Sequence, residues 1–287
     1  MNKFHKTFLD LLQEIEDYQQ EVEPSFSGEF AEELPLLDET DNAILMHRDA
    51  HFGGKFETML DYYRREGKGV RAEFDFDHIN QLFLIEQKLQ KNLAGMILSG
   101  MEAERVAAAR NAYQKLRDVY SSDDPIAKTI ADLILSEEEF PEEEIHAVVA
   151  TKEDVIPILV ELVRNDTFYD PLFPGYGQAP LLAIQCLGKL GDMRAIIALF
   201  EMIGHGDFAV ESLILEALKK LGEPAKEFLI ERIRSRPITH DNERAALALV
   251  SFGDDPLVCR LCLEELADPE VLKKELLTTY LSLVCQK

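Results

Sequence analysis

A short pattern of apolar residue, glycine and acid recurs at a fixed step. Leu190-Gly191-Asp192, Leu221-Gly222-Glu223 and Phe252-Gly253-Asp254 follow one another at intervals of 31 residues. One further step reaches Leu283, where Val284 stands in the place of the glycine. The register extends to neighbouring positions. Leu187, Leu218, Leu249 and Tyr280 form one column, and Ile184, Leu215, Ala246 and Leu277 form a second. Cys186, Ala217, Ala248 and Thr279 form a third, of small residues. Between the glycines another apolar segment returns: Ile196, Ile197, Leu199 and Phe200, then Phe228, Leu229 and Ile230, then Val258, Cys259 and Leu261.

A period of this size holds two helices of about 12 residues and two turns. The glycine falls just past the second helix, where a left-handed residue closes the C-terminus without a steric penalty. The acid after it, or Pro224 and Pro256, opens the next helix. A lone helical hairpin cannot cover its own apolar faces. Stacking the next hairpin against it covers both, so the units predict a continuous core. The small column permits close helix–helix approach and accounts for Cys186 as packing rather than chemistry.

The recurrence of L-G-[DE], with an apolar helix after it and then a second helix carrying a small residue at a fixed place, resembles the HEAT-repeat superfamily. The short bacterial form, also found in phycobilisome lyases, is similar. Four units fit, at about 152–190, 191–221, 222–252 and 253–287. The resemblance implies an all-α fold, a right-handed α-α superhelix, with an additional N-terminal helical region. It also implies a scaffold or adaptor that binds protein partners, although some members are lyases or DNA-repair proteins and a fold alone does not decide function. No specific residue supports bilin lyase activity. The expected contact surface is the concave face built from the second helices, where Lys189, Glu216, Lys220, Glu243 and Arg244 are expected to be exposed.

The first unit carries an insertion, residues 165–178, with Phe168, Tyr169, Phe173 and Tyr176 among two prolines and two glycines. Insertions in solenoids fall on loops of one face, often the binding face, and aromatics there can anchor a partner. The alternative is that these four rings fold back to cap the junction with the N-terminal helices.

Ahead of the repeats, composition divides the chain into residues 1–42, 43–150 and 151–287. The first part opens with an amphipathic helix, Phe4, Phe8, Leu11, Leu12 and Ile15 sharing a face, and continues as an acidic, irregular linker broken by Pro24, Gly28 and Pro35. The second part predicts helices over 42–50, 55–66, 78–98, 102–120, 124–135 and 142–150. Val70–Phe76 reads as a connector. Asp124-Pro125 and Pro141, followed by Glu142, Glu143 and Glu144, are helix starts, the acids suiting the positive end of the dipole. These glutamates, with Glu137–Glu139, read either as an acidic docking strip or as a solvated face.

The net charge is −24 over 287 residues. Nucleic-acid binding draws its affinity from Lys and Arg neutralising phosphates, so neither nucleic acid nor an anionic membrane is the expected partner. A protein partner is expected, and a basic one suits the charge best, although such a charge also simply keeps an elongated surface soluble. No apolar run approaches the roughly 18–20 residues that cross a bilayer. No signal core follows Lys3 and Lys6, and a cytoplasmic location is expected. Cys259 and Cys262 have C-x-x-C spacing without a second pair or a nearby histidine, whereas a zinc site takes about four ligands. No cofactor is expected.

One string suggests chemistry. His47-Arg48-Asp49-Ala50-His51 has the H-x-D-x-H form of a metal-ligand run in some hydrolases, with Glu57, Asp61, Asp75, Asp77 and His78 downstream. A divalent metal held by His47, Asp49 and His51 would activate a water for attack. Against this, Asp49 lies off the face that His47 and His51 share four residues apart. Gly53-Gly54 marks a turn, so the segment also reads as a hairpin turn like His205-Gly206-Asp207-Phe208, which would make the 43–150 region a set of degenerate repeats. No phosphate-cradling glycine loop and no G-x-S-x-G is present.

Overall fold

The computed structural model describes residues 39–138, 140–206 and 208–286. The amphipathic helix and most of the acidic linker expected over 1–42 lie outside them. The described residues form sixteen α-helices and no strand. Packing divides them into two compact units. One holds the residues up to Ser122 with 137–138 and Asp170–Gly177; the other holds Asp123–Ser136, Phe140–Tyr169 and the residues from Gln178 onward. The units are therefore not two single stretches of chain, since segments near 137 and 170–177 return to the first.

The N-terminal unit contains α1 (Glu39–His51), α2 (Phe56–Arg64), α3 (Phe76–Leu89), α4 (Leu93–Ile97) and α5 (Gly100–Val119). Helix α1 packs on α4 and α5, and α2 packs on α3. Ile44, Leu45, Met59, Ile79, Leu82 and Leu93 are fully buried between them. Sequence periodicity predicts one helix over 78–98, but the chain breaks at Gln90, which takes a left-handed conformation (φ 55°). Asn92 then starts α4, its side chain accepting from the Gly95 N–H at 2.9 Å.

The break serves a buried charge. Arg48 is fully buried and donates from Nη1 to Glu86 at 2.6 Å and from Nη2 to Asn92 at 3.3 Å. Its guanidinium also meets Asp49 at 2.6 Å and sits 4.5 Å from the Phe56 ring centroid. Glu86 further accepts from the Leu93 N–H at 2.8 Å. One cation thus ties α1, α3 and the start of α4, with its desolvation offset by several partners at once.

The C-terminal unit contains α6 (Pro125–Leu135), α7 (Glu142–Ala150), α8 (Ile156–Arg164), α9 (Ala179–Leu190), α10 (Ile196–Glu201) and α11 (Phe208–Leu221). It continues with α12 (Glu223–Arg234), α13 (His240–Leu249), α14 (Pro256–Leu266), α15 (Pro269–Leu272) and α16 (Glu275–Val284). The packed pairs are α8 with α9, α10 with α11, α12 with α13 and α14 with α16. From one pair to the next, α9 packs on α11 and α13 packs on α16, while α11 meets the 3-10 turn Val250–Phe252 that follows α13. Helices α6 and α7 also pack on α9, which draws them into this unit.

Most members of the columns read from the sequence face inward, with Leu215 and Tyr280 half-buried. Leu187, Leu218 and Leu249 are fully buried, as are Ile184 and Ala246. Cys186, Ala217 and Ala248 are buried too, whereas Thr279 is exposed. Helices α9 and α11 come so close that a Cβ added at Gly188 would stand 3.0 Å from both the Cα and the Cβ of Ala217. Gly191 closes α9 in the left-handed region (φ 67°), and Gly222 takes φ 69° after α11. Gly253 departs from the expectation. Its φ is −61°, because α13 runs on into the Val250–Phe252 turn, which tightens the exit without a left-handed residue.

Sequence reasoning missed a polar tie within the repeats. Asn242 is fully buried, and its amide donates to the Arg232, Ile233 and Ser235 carbonyls at 3.0, 3.0 and 3.1 Å, sealing the α12–α13 turn. One repeat earlier, Glu211 accepts from the Gly204 N–H at 3.0 Å and ties the α10–α11 turn.

Candidate functional site

In the N-terminal unit, α1 sets His47 and His51 one turn apart with ring centroids 4.7 Å from each other. His47 is 1% exposed. Its ring centroid lies 5.4 Å from that of Phe52, 5.5 Å from Phe74, 5.9 Å from Tyr176 and 6.1 Å from Tyr63. Neither of its ring nitrogens, nor Nε2 of His51, has a hydrogen-bond partner. His51 Nδ1 shares a hydrogen bond of 3.2 Å with the Tyr113 hydroxyl. Tyr62 accepts from the Gly69 N–H at 2.7 Å, and its ring centroid lies 6.3 Å from that of Tyr176. Tyr113 and Tyr176 thus both lie against His51, with Tyr62 beside Tyr176.

This environment disfavours charge. Burial, then the neighbouring His51 and Arg71, hold His47 well below the usual imidazole range. Burial takes His51 down to about 4 against weaker opposing effects from the Leu172 and Pro171 backbone. Burial pushes Tyr113 up to about 12 and raises Tyr176 further. At neutral pH both histidines are neutral.

The proposed metal ligands do not converge. Asp49 is drawn to Arg48 at 2.6 Å and to Arg110 at 3.2 Å, away from the imidazoles. Asp75 caps α3, His78 pairs with Asp41 at 2.6 Å and Asp61 pairs with Arg64 at 2.8 Å. Among the described residues no group of three or more His, Cys, Asp or Glu side chains could hold a metal ion. The H-x-D-x-H string is a helix end and a turn: α1 stops at His51, and Gly53 and Gly54 both take positive φ before α2.

The insertion divides its aromatics. Gly175, Tyr176 and Gly177 take positive φ in succession (84°, 53° and 78°), which turns the Tyr176 ring onto His51 at a centroid distance of 4.4 Å. A Cβ on Gly69 would stand 2.5 Å from that ring, so only glycine admits it. Phe173 packs on the cluster around Met46, Ala50, Val106, Ala109 and Leu172. Phe173 and Tyr176 are half-buried and pack against the core clusters of the N-terminal unit, the fold-back arrangement that is the alternative to surface anchors. Phe168 and Tyr169 stay in the C-terminal unit, half-buried in a 3-10 turn packed on α9, with the Tyr169 hydroxyl donating to the Val163 carbonyl at 3.0 Å.

On the repeats, Lys189, Glu216 and Lys220 are exposed. Lys189 pairs with Glu142 at 3.1 Å and Lys220 with Glu216 at 2.7 Å. Glu243 and Arg244 are more enclosed than the sequence suggests. Glu243 accepts from His240 at 2.6 Å, and Arg244 reaches His205 at 2.9 Å and Asp241 at 3.5 Å. An open groove of about 380 Å³ lies between the turns that follow α11 and α13. Its Lys226 is already paired, with Asp255 at 2.6 Å and Glu223 at 2.8 Å.

Residues 178–250, from the start of α9 to the end of α13, match the family model for HEAT repeats. The C-terminal half is a HEAT-like repeat array. Comparison with curated proteins and with solved structures found no match. HEAT repeats serve generally as protein-interaction scaffolds. Among the described residues, no helix is long and apolar enough to cross a membrane.

Proposed function

We propose that this protein is an interaction scaffold that binds a protein partner through the HEAT-like array, on the face where Lys189, Glu216 and Lys220 stand. The observation that carries this reading is the division of labour along α9 and α11. The column residues of these helices are spent on the core, while Lys189 and Lys220, one repeat apart, stay exposed on adjacent helices. Their present ion pairs are solvent-exposed contacts of the kind worth about 0–1 kcal/mol, so a partner can replace them at little cost. Phe168 and Tyr169, packed on α9, extend the proposed contact toward the first repeat. The net charge of −24 favours a basic partner, with electrostatics acting mainly on the rate of association.

The test begins with cross-linking and affinity purification of the full chain, followed by binding of the purified partner. Glu216→Lys, with helicity and urea midpoint unchanged, is expected to weaken association at least tenfold, and added salt is expected to slow association of the wild type. A partner that binds the variant as well as the wild type, without salt dependence, would refute the assignment of this face.

A further inference from the structure

Three of the four cysteines sit on the last two long helices of the array. Cys259 and Cys262 lie on α14, and Cys285 closes α16, which packs against α14. All are free thiols. Cys262 is fully buried, and burial, then its neighbours Cys285 and Cys259, push its thiol up to about 12. Cys259 and Cys285 are each part-exposed. The Cys285 thiol donates to the carbonyl of Cys259 at 3.6 Å.

We propose that Cys259 and Cys285 are a site of oxidative modification, forming a reversible disulfide when the protein meets a peroxide. The Cys285 sulfur already touches Cys259, whereas thiols on residues out of contact need backbone movement to bond. In the first step one thiolate attacks a peroxide oxygen. The O–O bond breaks, and the departing hydroxide takes up a proton and leaves as water. The resulting sulfenic acid is attacked by the second thiol, the S–S bond forms, and the sulfenic hydroxyl leaves with the second proton as another water. Two thiols lose two electrons and two protons, and one peroxide is reduced to two waters. Cys262 is excluded because no oxidant reaches it, and Cys186 because it is buried in an earlier repeat.

The bond would tie α16 covalently to α14 and restrict the unfolded chain. Burial, reinforced by the hydrogen bond to Cys259, raises the Cys285 thiol. The reaction is therefore slow at neutral pH and faster in mild alkali, where more thiolate is present.

The experiment treats the full chain with hydrogen peroxide and follows intact mass, a non-reduced peptide map and thermal melting. The expected result is a loss of two hydrogens per chain, one linked peptide pair joining 259 to 285, a raised Tm, and full reversal by dithiothreitol. Cys259→Ser and Cys285→Ser should each abolish the linkage, while Cys186→Ala and Cys262→Ala should retain it. If a variant proves unstable, the wild-type peptide map decides alone. A bond to Cys262, a linkage only between chains, or oxygen added to the thiols without any disulfide would overturn the proposal.

Discussion

The two units reach stability by opposite routes. The C-terminal unit repeats one solution: the columns through Leu187, Leu218 and Leu249 and through Ile184 and Ala246 are apolar and buried, and its charged pairs sit mostly outside. The N-terminal unit takes charged and ionisable groups inside. Arg48 is fully buried among Glu86, Asp49 and Asn92, and His47 is buried with neither ring nitrogen bonded. A periodic core tolerates variation in any single turn, as Gly253 shows. A core built around buried polar groups depends on particular atoms and, through its histidines, on pH.

The sharpest way to break this contrast is to cut a column. Leu218→Ala should cost about 3 kcal/mol, the usual range for a fully buried leucine that leaves a cavity, measured by urea unfolding. A cost under about 1 kcal/mol would mean that the column does not bear the array.

Acid should separate the units next. His51 titrates at about 4 in the folded protein against an ordinary value of 6.5, and His47 is lowered as well. Because both folded values lie below the unfolded ones, the unfolded chain binds the extra protons. Their contribution is complete above pH 6.5 and is lost as pH falls from there through about 4. The loss attributable to His51 is on the order of 3 kcal/mol. Asp192, Asp255 and Asp268 of the array are themselves lowered below the ordinary 3.8, so that unit loses their contributions only in stronger acid. Hydrogen exchange at pH 5 should therefore rise first in peptides from α1 to α5, and His47→Phe should blunt the effect. Equal acceleration in both units would contradict the contrast.

A smaller effect is expected from Gly69→Ala, whose new methyl must displace the Tyr176 ring from its stack on His51. Overpacking of this kind costs about 1–3 kcal/mol, and it should appear as a loss of near-ultraviolet tyrosine dichroism together with a lower Tm. The smallest effect belongs to the proposed contact face. Lys220→Ala removes an exposed i,i+4 pair with Glu216 and should change stability by about 0.5 kcal/mol or less, with helicity by circular dichroism unchanged.

The array was legible because its signal is redundant. Four repeats state the same spacing, and a single misplaced turn does not disturb the sum. The span of α7 was readable to the residue, since Pro141 and three acids mark its start. The N-terminal unit offered no such repetition. The break at Gln90 uses a non-glycine residue in a left-handed conformation, which leaves no compositional mark, although Asn92 was available as a helix-start signal. The i,i+4 spacing showed that His47 and His51 share a face and that Asp49 does not. It could not show that Tyr62, Tyr113 and Tyr176, far apart in sequence, would gather with His51 in one aromatic cluster. Nor could composition tell inward from outward in the insertion. Its four aromatics look alike in sequence, and only the run of positive φ from Gly175 to Gly177 turns Tyr176 onto the core.

The dependence of each hairpin on its neighbours is tested most directly by residue-resolved hydrogen exchange on Leu218→Ala under native conditions. If adjoining hairpins cover one another's apolar faces, exchange should quicken in α9 and α13 as well as in α10 and α11, because cutting one hairpin uncovers the next on either side. Faster exchange confined to α10 and α11, with α9 and α13 as protected as in the wild type, would contradict a stacked array and point to hairpins that are stable on their own.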